Sequence, residues 1–226
     1  MIDIVTDLRP LLGAVRDQGA RPTCLAFAAS DAHAALRDGW CPLSCEYLFF
    51  HAHKRSGTPP NRGASLATML DALRLDGQPA ESDWPYLDAV PFDLSQWAPP
   101  TDVGQCFGRD GANGANLIPP IQETLDSGKP VLLLTMLSHS FYAPGIEGVV
   151  DPANDEKPDT ALRHAVIAVG HGTVDGQTAM LVRNSWGASW GANGHAWLTE
   201  KFLTPRLFAT AILTEDIDVS SRTAAA

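Results

Sequence analysis

Two uninterrupted apolar runs constrain the fold most: Val131-Leu132-Leu133-Leu134-Thr135-Met136-Leu137 and His164-Ala165-Val166-Ile167-Ala168-Val169-Gly170. Runs this short, rich in Val, Ile and Leu and bounded by Gly and Pro, predict strands buried on both faces. Asp175-Gly176 predicts a hairpin turn into a strand over Thr178–Arg183, and Gly194–Leu198 and Leu207–Leu213 predict further strands. All of these lie after Asn116. Before it the signals are helical. Cys24 to His33 is Ala-rich without Gly or Pro, and Leu25, Ala28, Ala29, Ala32 and Leu36 recur at helical spacing up to a C-cap at Gly39. A second helix follows Ser44 as N-cap, with Glu46 in its first turn and Tyr47, Leu48, Phe49 and Ala52 on its buried side. A third runs from about Ser65 to Leu75 and stops at Asp76-Gly77. Helices first and strands second predict an α+β protein, one domain of two lobes: helical over about 10–115, β-rich over about 116–215, with a tail over 216–226 that frays from Ser220.

Between these elements, residues 2–12 are expected to be extended and 79–116 irregular, since Pro, Gly, Asp and Trp dominate there without periodicity. A loop that long is functional or folded on itself rather than a passive connector. Pro119-Pro120 opens a short helix over Ile121–Ser127, and the charged run Asp151–Asp159 reads as a solvated loop.

Composition excludes several functions. A net charge of −10 with four lysines argues against a nucleic-acid surface, which needs clustered Lys and Arg. No segment reaches the ~20 apolar residues of a membrane span. The start, Met1-Ile2-Asp3-Ile4, lacks the basic and apolar regions of a secretory signal, so a cytoplasmic location, or delivery from the cytoplasm without such a signal, is expected. With Cys24 set aside, Cys41, Cys45 and Cys106 are an awkward number for a disulfide framework, which fits a reducing compartment.

Asp17-Gln18-Gly19-Ala20-Arg21-Pro22-Thr23-Cys24 delivers a cysteine to the start of a helix, behind a turn, with Thr23 as the expected N-cap. There the unpaired amides and the macrodipole favour thiolate. The Gln18 side-chain amide and the Cys24 backbone N–H can form two donors around one point, an oxyanion hole. In the β half, His164 opens a strand and Asn184 follows another in Arg183-Asn184-Ser185-Trp186-Gly187. Imidazole takes a thiol proton and returns it to a leaving amine. A neutral amide such as Asn184 fixes the useful tautomer, and Trp186 can shield that bond from water.

Gln18-Gly19…Cys24, Leu162-Arg163-His164-Ala165-Val166…Val169-Gly170 and Asn184-Ser185-Trp186-Gly187…Trp190-Gly191…Asn193-Gly194 resemble the papain family (C1) of cysteine peptidases. Asp7-Leu8-Arg9, Leu43-Ser44-Cys45-Glu46, Asn61-Arg62-Gly63 and Trp84-Pro85-Tyr86 extend the resemblance through nearly the whole chain. It implies a papain-like fold with an N-terminal helical lobe, a C-terminal antiparallel β-barrel-like lobe and an active site in the cleft. It also implies Cys24 as nucleophile, His164 as general base and acid, Asn184 as orienter and Gln18 as oxyanion donor. Gly63 would offer its backbone to an extended peptide; Ser65 and Ala165 would line the specificity pocket, with Trp186 beside the substrate. No cofactor or metal is implied. The expected partners are a peptide or protein substrate and, since no long helical propeptide is visible, a separate inhibitor or regulator; neither nucleic acid nor membrane is expected.

This sequence departs from the family at Leu25, where an aromatic is usual, and at Arg163, a cation that would oppose protonation of His164 if close. The same thiol chemistry also serves an acyl transferase or a side-chain amidase, and the fold can serve as a silent binding module. Among other histidines, His33 falls on the far side of the helix from Cys24, His171 is offset by an odd number from His164, and His139 is the rival base. Cys41, Cys45, His51 and His53 cluster in sequence, but not with zinc-finger spacing.

Overall fold

The structure, a computed structural model, describes residues 1–219. Its helices are α1 (Cys24–Ala35), α2 (Cys45–Ser56), α3 (Leu66–Leu75), α4 (Ile118–Asp126), α5 (His139–Tyr142) and α6 (Glu200–Leu203). Its strands are β1 (Ile2–Asp7), β2 (Gly108–Asn113), β3 (Val131–Leu137), β4 (Val149–Val150), β5 (Asp159–Val174), β6 (Gln177–Arg183), β7 (His195–Thr199) and β8 (Leu207–Ile217). They fall into two compact units: residues 1–17 with 113–212, and residues 18–112 with the chain from 213 onwards. The frayed tail expected over 220–226 lies outside the described residues.

In the strand unit the sheet runs β8-β3-β5-β6-β7-β4, and β1 also pairs with β5. The pairings of β5 with β1, β3 and β6 are antiparallel, and β4 joins β7 in parallel. β3 and β5 carry the two apolar runs, buried as their composition requires. β5 starts at Asp159, well before the expected His164, and its residues preceding His164 are exposed. Their polarity reads as loop in the sequence, yet their backbone pairs with the end of β3. Gly170 and Gly172 let β1 approach closely, because a Cβ at either would strike the carbonyl oxygens of Thr6 and Asp3. Asp175 and Gly176, at φ 48° and 79°, form the left-handed pair that a tight hairpin needs. α4 starts at Ile118, with both prolines in its first turn, where their missing N–H groups would be unpaired anyway.

In the helical unit, α1 is buried from Leu25 to Ala35, and its small residues make that possible without a polar face. It ends at Ala35, with Leu36 as its C-cap, rather than near Gly39. There Arg109 donates to the Leu36 carbonyl at 3.2 Å and to the Thr214 carbonyl at 2.9 Å, and pairs with Asp216 at 2.5 Å. Ser44 caps α2, accepting from the Tyr47 N–H at 3.0 Å while its hydroxyl donates to the Trp84 carbonyl at 2.6 Å. Phe50 packs between Trp84 and Trp97, with centroids at 5.6 and 5.1 Å. β2 lies inside the segment expected to be irregular. Gly108-Arg109-Asp110-Gly111-Ala112-Asn113 contains no β-branched residue, so pairing with β8 imposes the strand. Among the described residues no helix is long and apolar enough to cross a membrane.

Candidate active site

The helical unit holds Gln18 and Cys24. Gly19, at φ 57°, turns the chain between them. The Gln18 Nε2 donates to the Arg21 carbonyl at 2.7 Å. A carbonyl only accepts, so this contact assigns the amide orientation. The Tyr86 hydroxyl donates to the Gln18 carbonyl at 2.8 Å and lies 2.8 Å from the Thr23 hydroxyl. With the Tyr86 proton on Gln18, Thr23 must donate to Tyr86. This corrects the N-cap expectation: Thr23, at φ −104° and ψ 10°, makes no side-chain cap bond. Its oxygen serves the Tyr86 bridge instead. Cys24, half-buried, is the first residue of α1, at the positive end of its dipole.

Gly63 and Ser65 belong to the same unit. A Cβ at Gly63 would meet only the Pro22 carbonyl oxygen, at 3.8 Å, so this glycine borders the turn that carries Cys24. Ser65 caps α3, accepting from the Thr68 N–H at 3.2 Å.

The strand unit brings His164, Asn184 and Trp186 together. The His164 Nε2 lies 2.7 Å from the Asn184 Oδ1, which also accepts the Ser185 N–H at 2.8 Å. Trp186 packs on the imidazole with centroids 4.7 Å apart, and Phe141 approaches it edge-on at 5.7 Å. Burial pushes the His164 imidazole down to about 4, against the opposing effect of the Asn184 bond. Arg163, expected as a contributor, turns away: its guanidinium lies over the Phe208 ring at 5.3 Å. Ala165 is buried within β5, opposite Leu134. Tyr142 stacks on Trp186 at 5.5 Å, and a pocket of about 480 Å3 opens beside them, lined also by Ala143, Pro144, Ser189 and Trp190.

Several residues of this machinery carry no motif in the sequence. Phe141 sits under His164 and Trp186 because α5 is pinned from below. Arg206, fully buried, donates to the Ser138 hydroxyl at 2.9 Å and the Phe202 carbonyl at 2.8 Å. Glu156 accepts from the Ser140 N–H and the Ala153 N–H, both at 2.9 Å, and from the Ser140 hydroxyl. Burial alone would raise the Glu156 carboxyl; these bonds and one from Ser138 outweigh it and bring it down to about 2. A glutamate inside the run read as solvated surface gave no warning of this role. Glu46, read as a complement to the α2 dipole, is a fully buried carboxylate paired with Arg21.

The remaining histidines and cysteines are engaged elsewhere. His33 is buried, with Nδ1 donating to the Gln78 Oε1 at 3.1 Å. His171 lies 2.8 Å from Asp126 and 3.3 Å from Gln122. His139, the rival base, is exposed at the start of α5. His51 pairs with Asp76 at 3.0 Å, His53 faces Thr58, and the Cys45 thiol faces the Ala26 carbonyl. Among the described residues no three His, Cys, Asp or Glu side chains gather to hold a metal.

Residues 113–203 match the family of papain family cysteine proteases, a span that includes His164 and Asn184. The chain is 26% identical to cathepsin K of Gallus gallus over 200 residues, covering 81% of this chain and 54% of that protein. It is 28% identical to digestive cysteine proteinase 3 of Homarus americanus over 204 residues, covering 85% of this chain and 60% of the other. The chain thus spans about half the length of the curated relatives it matches. Its fold is similar to that of xylellain, a cysteine protease from Xylella fastidiosa, with a TM-score of 0.75 at 20% identity over 95% of this chain and 87% of the other. It is also similar to a Carica candamarcensis cysteine protease in complex with E-64, with a TM-score of 0.72 at 20% identity over 92% and 97% of the two chains. The fold is papain-like.

Proposed function

We propose that this papain-like chain is a cysteine peptidase that hydrolyses peptide bonds through a Cys24 acyl-enzyme. The observation that carries the reading is the His164–Asn184 bond under Trp186. Asn184 Oδ1 accepts the proton on Nε2, so Nδ1 presents its lone pair, the tautomer a thiol nucleophile requires. His164 takes the Cys24 proton at Nδ1, the sulfur bonds to the scissile carbonyl carbon, and the oxyanion is held by Gln18 and the Cys24 N–H. His164 then protonates the leaving amine as the C–N bond breaks. Water, deprotonated by the same nitrogen, cleaves the thioester and returns the thiol. The substrate is an extended peptide paired with the Gly63 backbone, with Ser65, Ala165 and Trp186 near its side chains.

Cys24→Ala should abolish hydrolysis of an unfolded protein substrate and labelling by E-64, while His164→Ala should lower hydrolysis by at least about a hundredfold. Hydrolysis that survives in Cys24→Ala refutes the reading.

A further inference from the structure

Arg21 stands three residues before Cys24, and its two polar ends serve different tasks. The guanidinium is 7% exposed and forks onto Glu46, with Nη1 to Oε2 at 2.5 Å and Nη2 to Oε1 at 2.9 Å. Nη1 also donates to the Leu87 carbonyl at 2.6 Å, and the plane lies 4.9 Å from the Tyr86 ring and 5.4 Å from the Phe49 ring. Glu46 has no exposed surface and accepts two further donors, the Leu87 N–H at 3.0 Å and the Trp97 indole at 2.6 Å. Each carboxylate oxygen therefore holds one guanidinium nitrogen and one neutral donor.

Burying such a pair is costly, and replacement by well-packed apolar residues is often neutral for stability. The Arg21 Nε is buried without a partner among the described residues, so what the bidentate pair supplies is direction rather than complete pairing. Here the direction is passed to the main chain. The Arg21 carbonyl accepts the Gln18 Nε2 at 2.7 Å and the Thr23 N–H at 2.9 Å. One carbonyl thus sets the plane of the Gln18 amide and the backbone of the residue before Cys24. With one amide hydrogen on Arg21, the direction of the other is set by the planar geometry of the NH₂ group. No disulfide joins the four cysteines, so this pair and the Tyr86 bridge hold the turn without a cross-link.

We propose that Arg21, anchored on Glu46, is a positioning residue that holds the Gln18 amide and the Cys24 backbone at the oxyanion geometry. This rests on the reading of Cys24 as a peptidase nucleophile. Lysine keeps the charge at position 21 but loses the fork, so Arg21→Lys leaves the carbonyl of residue 21 free to rotate.

The test compares Arg21→Lys, Glu46→Gln, Gln18→Ala and the Arg21→Lys/Gln18→Ala pair. Removing one oxyanion donor costs about 10²–10³ in kcat, and misaiming it should cost about tenfold with KM within twofold. Alkylation of Cys24 by iodoacetamide develops no oxyanion and should keep its wild-type rate. The double variant should be no slower than Gln18→Ala alone, because both act through one donor. The Gln18 side-chain ¹H–¹⁵N resonances should move in Arg21→Lys and, should that variant fail to fold, in Glu46→Gln, whose volume is unchanged. Unaltered kcat, alkylation that falls in step with kcat, multiplicative losses in the double variant or an unmoved Gln18 resonance overturns the proposal. If the wild-type chain shows no turnover, the peptidase reading fails, and the amide resonance alone decides whether Arg21 holds Gln18.

Discussion

The His164 Nε2 and the Asn184 Oδ1 are 2.7 Å apart, and the same oxygen accepts the Ser185 N–H at 2.8 Å. The second bond fixes which end of the Asn184 amide is oxygen, and the first then fixes the proton on Nε2. Its Nδ2 is buried without a partner among the described residues, so Asn184 is held by its oxygen alone. In Asn184→Ala the imidazole loses its preference between tautomers. Peptidase kcat should fall by about a hundredfold, within the range of general acid–base catalysis. Histidine ¹⁵N shifts should show His164 moving from one tautomer to a mixture; a single unchanged tautomer in the variant would count against this assignment.

Trp186 should control the charge of His164. The imidazole is lowered to about 4 by burial, and Trp186 packs on one face with centroids 4.7 Å apart. Trp186→Ala admits water to that face, so the His164 value should rise from about 4 toward the ordinary ~6.5. An NMR titration of the labelled histidine reads this directly, and a value still near 4 would show that Phe141 and the sheet bury the ring without the indole.

Arg206 and Glu156 should matter to stability unequally with pH. Arg206 is fully buried, and removal of its charge in Arg206→Met leaves the Ser138 hydroxyl and the Phe202 and Glu156 carbonyls without this donor and the Glu156 carboxylate without its buried cation. Loss of one partner from such a network costs about 3–5 kcal/mol, read as a lower denaturant midpoint. Glu156, held near 2 in the fold against an ordinary 4.5, contributes stability that is complete above pH 4.5 and lost as pH falls toward 2. Glu156→Gln should therefore flatten the acid limb of stability below pH 4.5, and an unchanged limb would mean that other carboxylates govern it.

The parts that were legible in the sequence are those with local causes. The apolar runs of β3 and β5, the Ser44 cap, the third helix beginning next to Ser65 and the Asp175-Gly176 turn stand where short-range chemistry puts them. So does the His164–Asn184 bond, because His164 lies on β5 and Asn184 directly follows β6, the strand paired with it. What the sequence hid depends on partners distant along the chain. Thr23 is diverted from capping by Tyr86, β2 becomes a strand through β8, and Glu46 and Glu156 look like surface charges until Arg21 and Arg206 are placed. A buried carboxylate has the same one-letter appearance as an exposed one, and no periodicity distinguishes them.

His33 should make the helical unit acid-labile. It lies in the last turn of the buried α1, donates Nδ1–H to the Gln78 Oε1 at 3.1 Å, and has its Nε2 buried without a partner among the described residues. Protonation would place a second N–H where nothing accepts it, and burial lowers the group to about 4, against the Gln78 bond. Unfolded, a histidine titrates near 6.5. Between about pH 6.5 and 4 the unfolded chain therefore binds a proton that the fold refuses, and stability falls as pH falls, by up to about 1.4 kcal/mol per pH unit for this residue. Above pH 6.5 both states are neutral and the penalty vanishes. Asn at position 33 can keep a donor for Gln78 but cannot titrate. His33→Asn should therefore reduce the slope of unfolding free energy against pH by nearly one proton in that window, and leave it unchanged at pH 8. Denaturant titrations at pH 4.5, 5.5, 6.5 and 8 measure the slope, and parallel curves for the two proteins would remove His33 as the source.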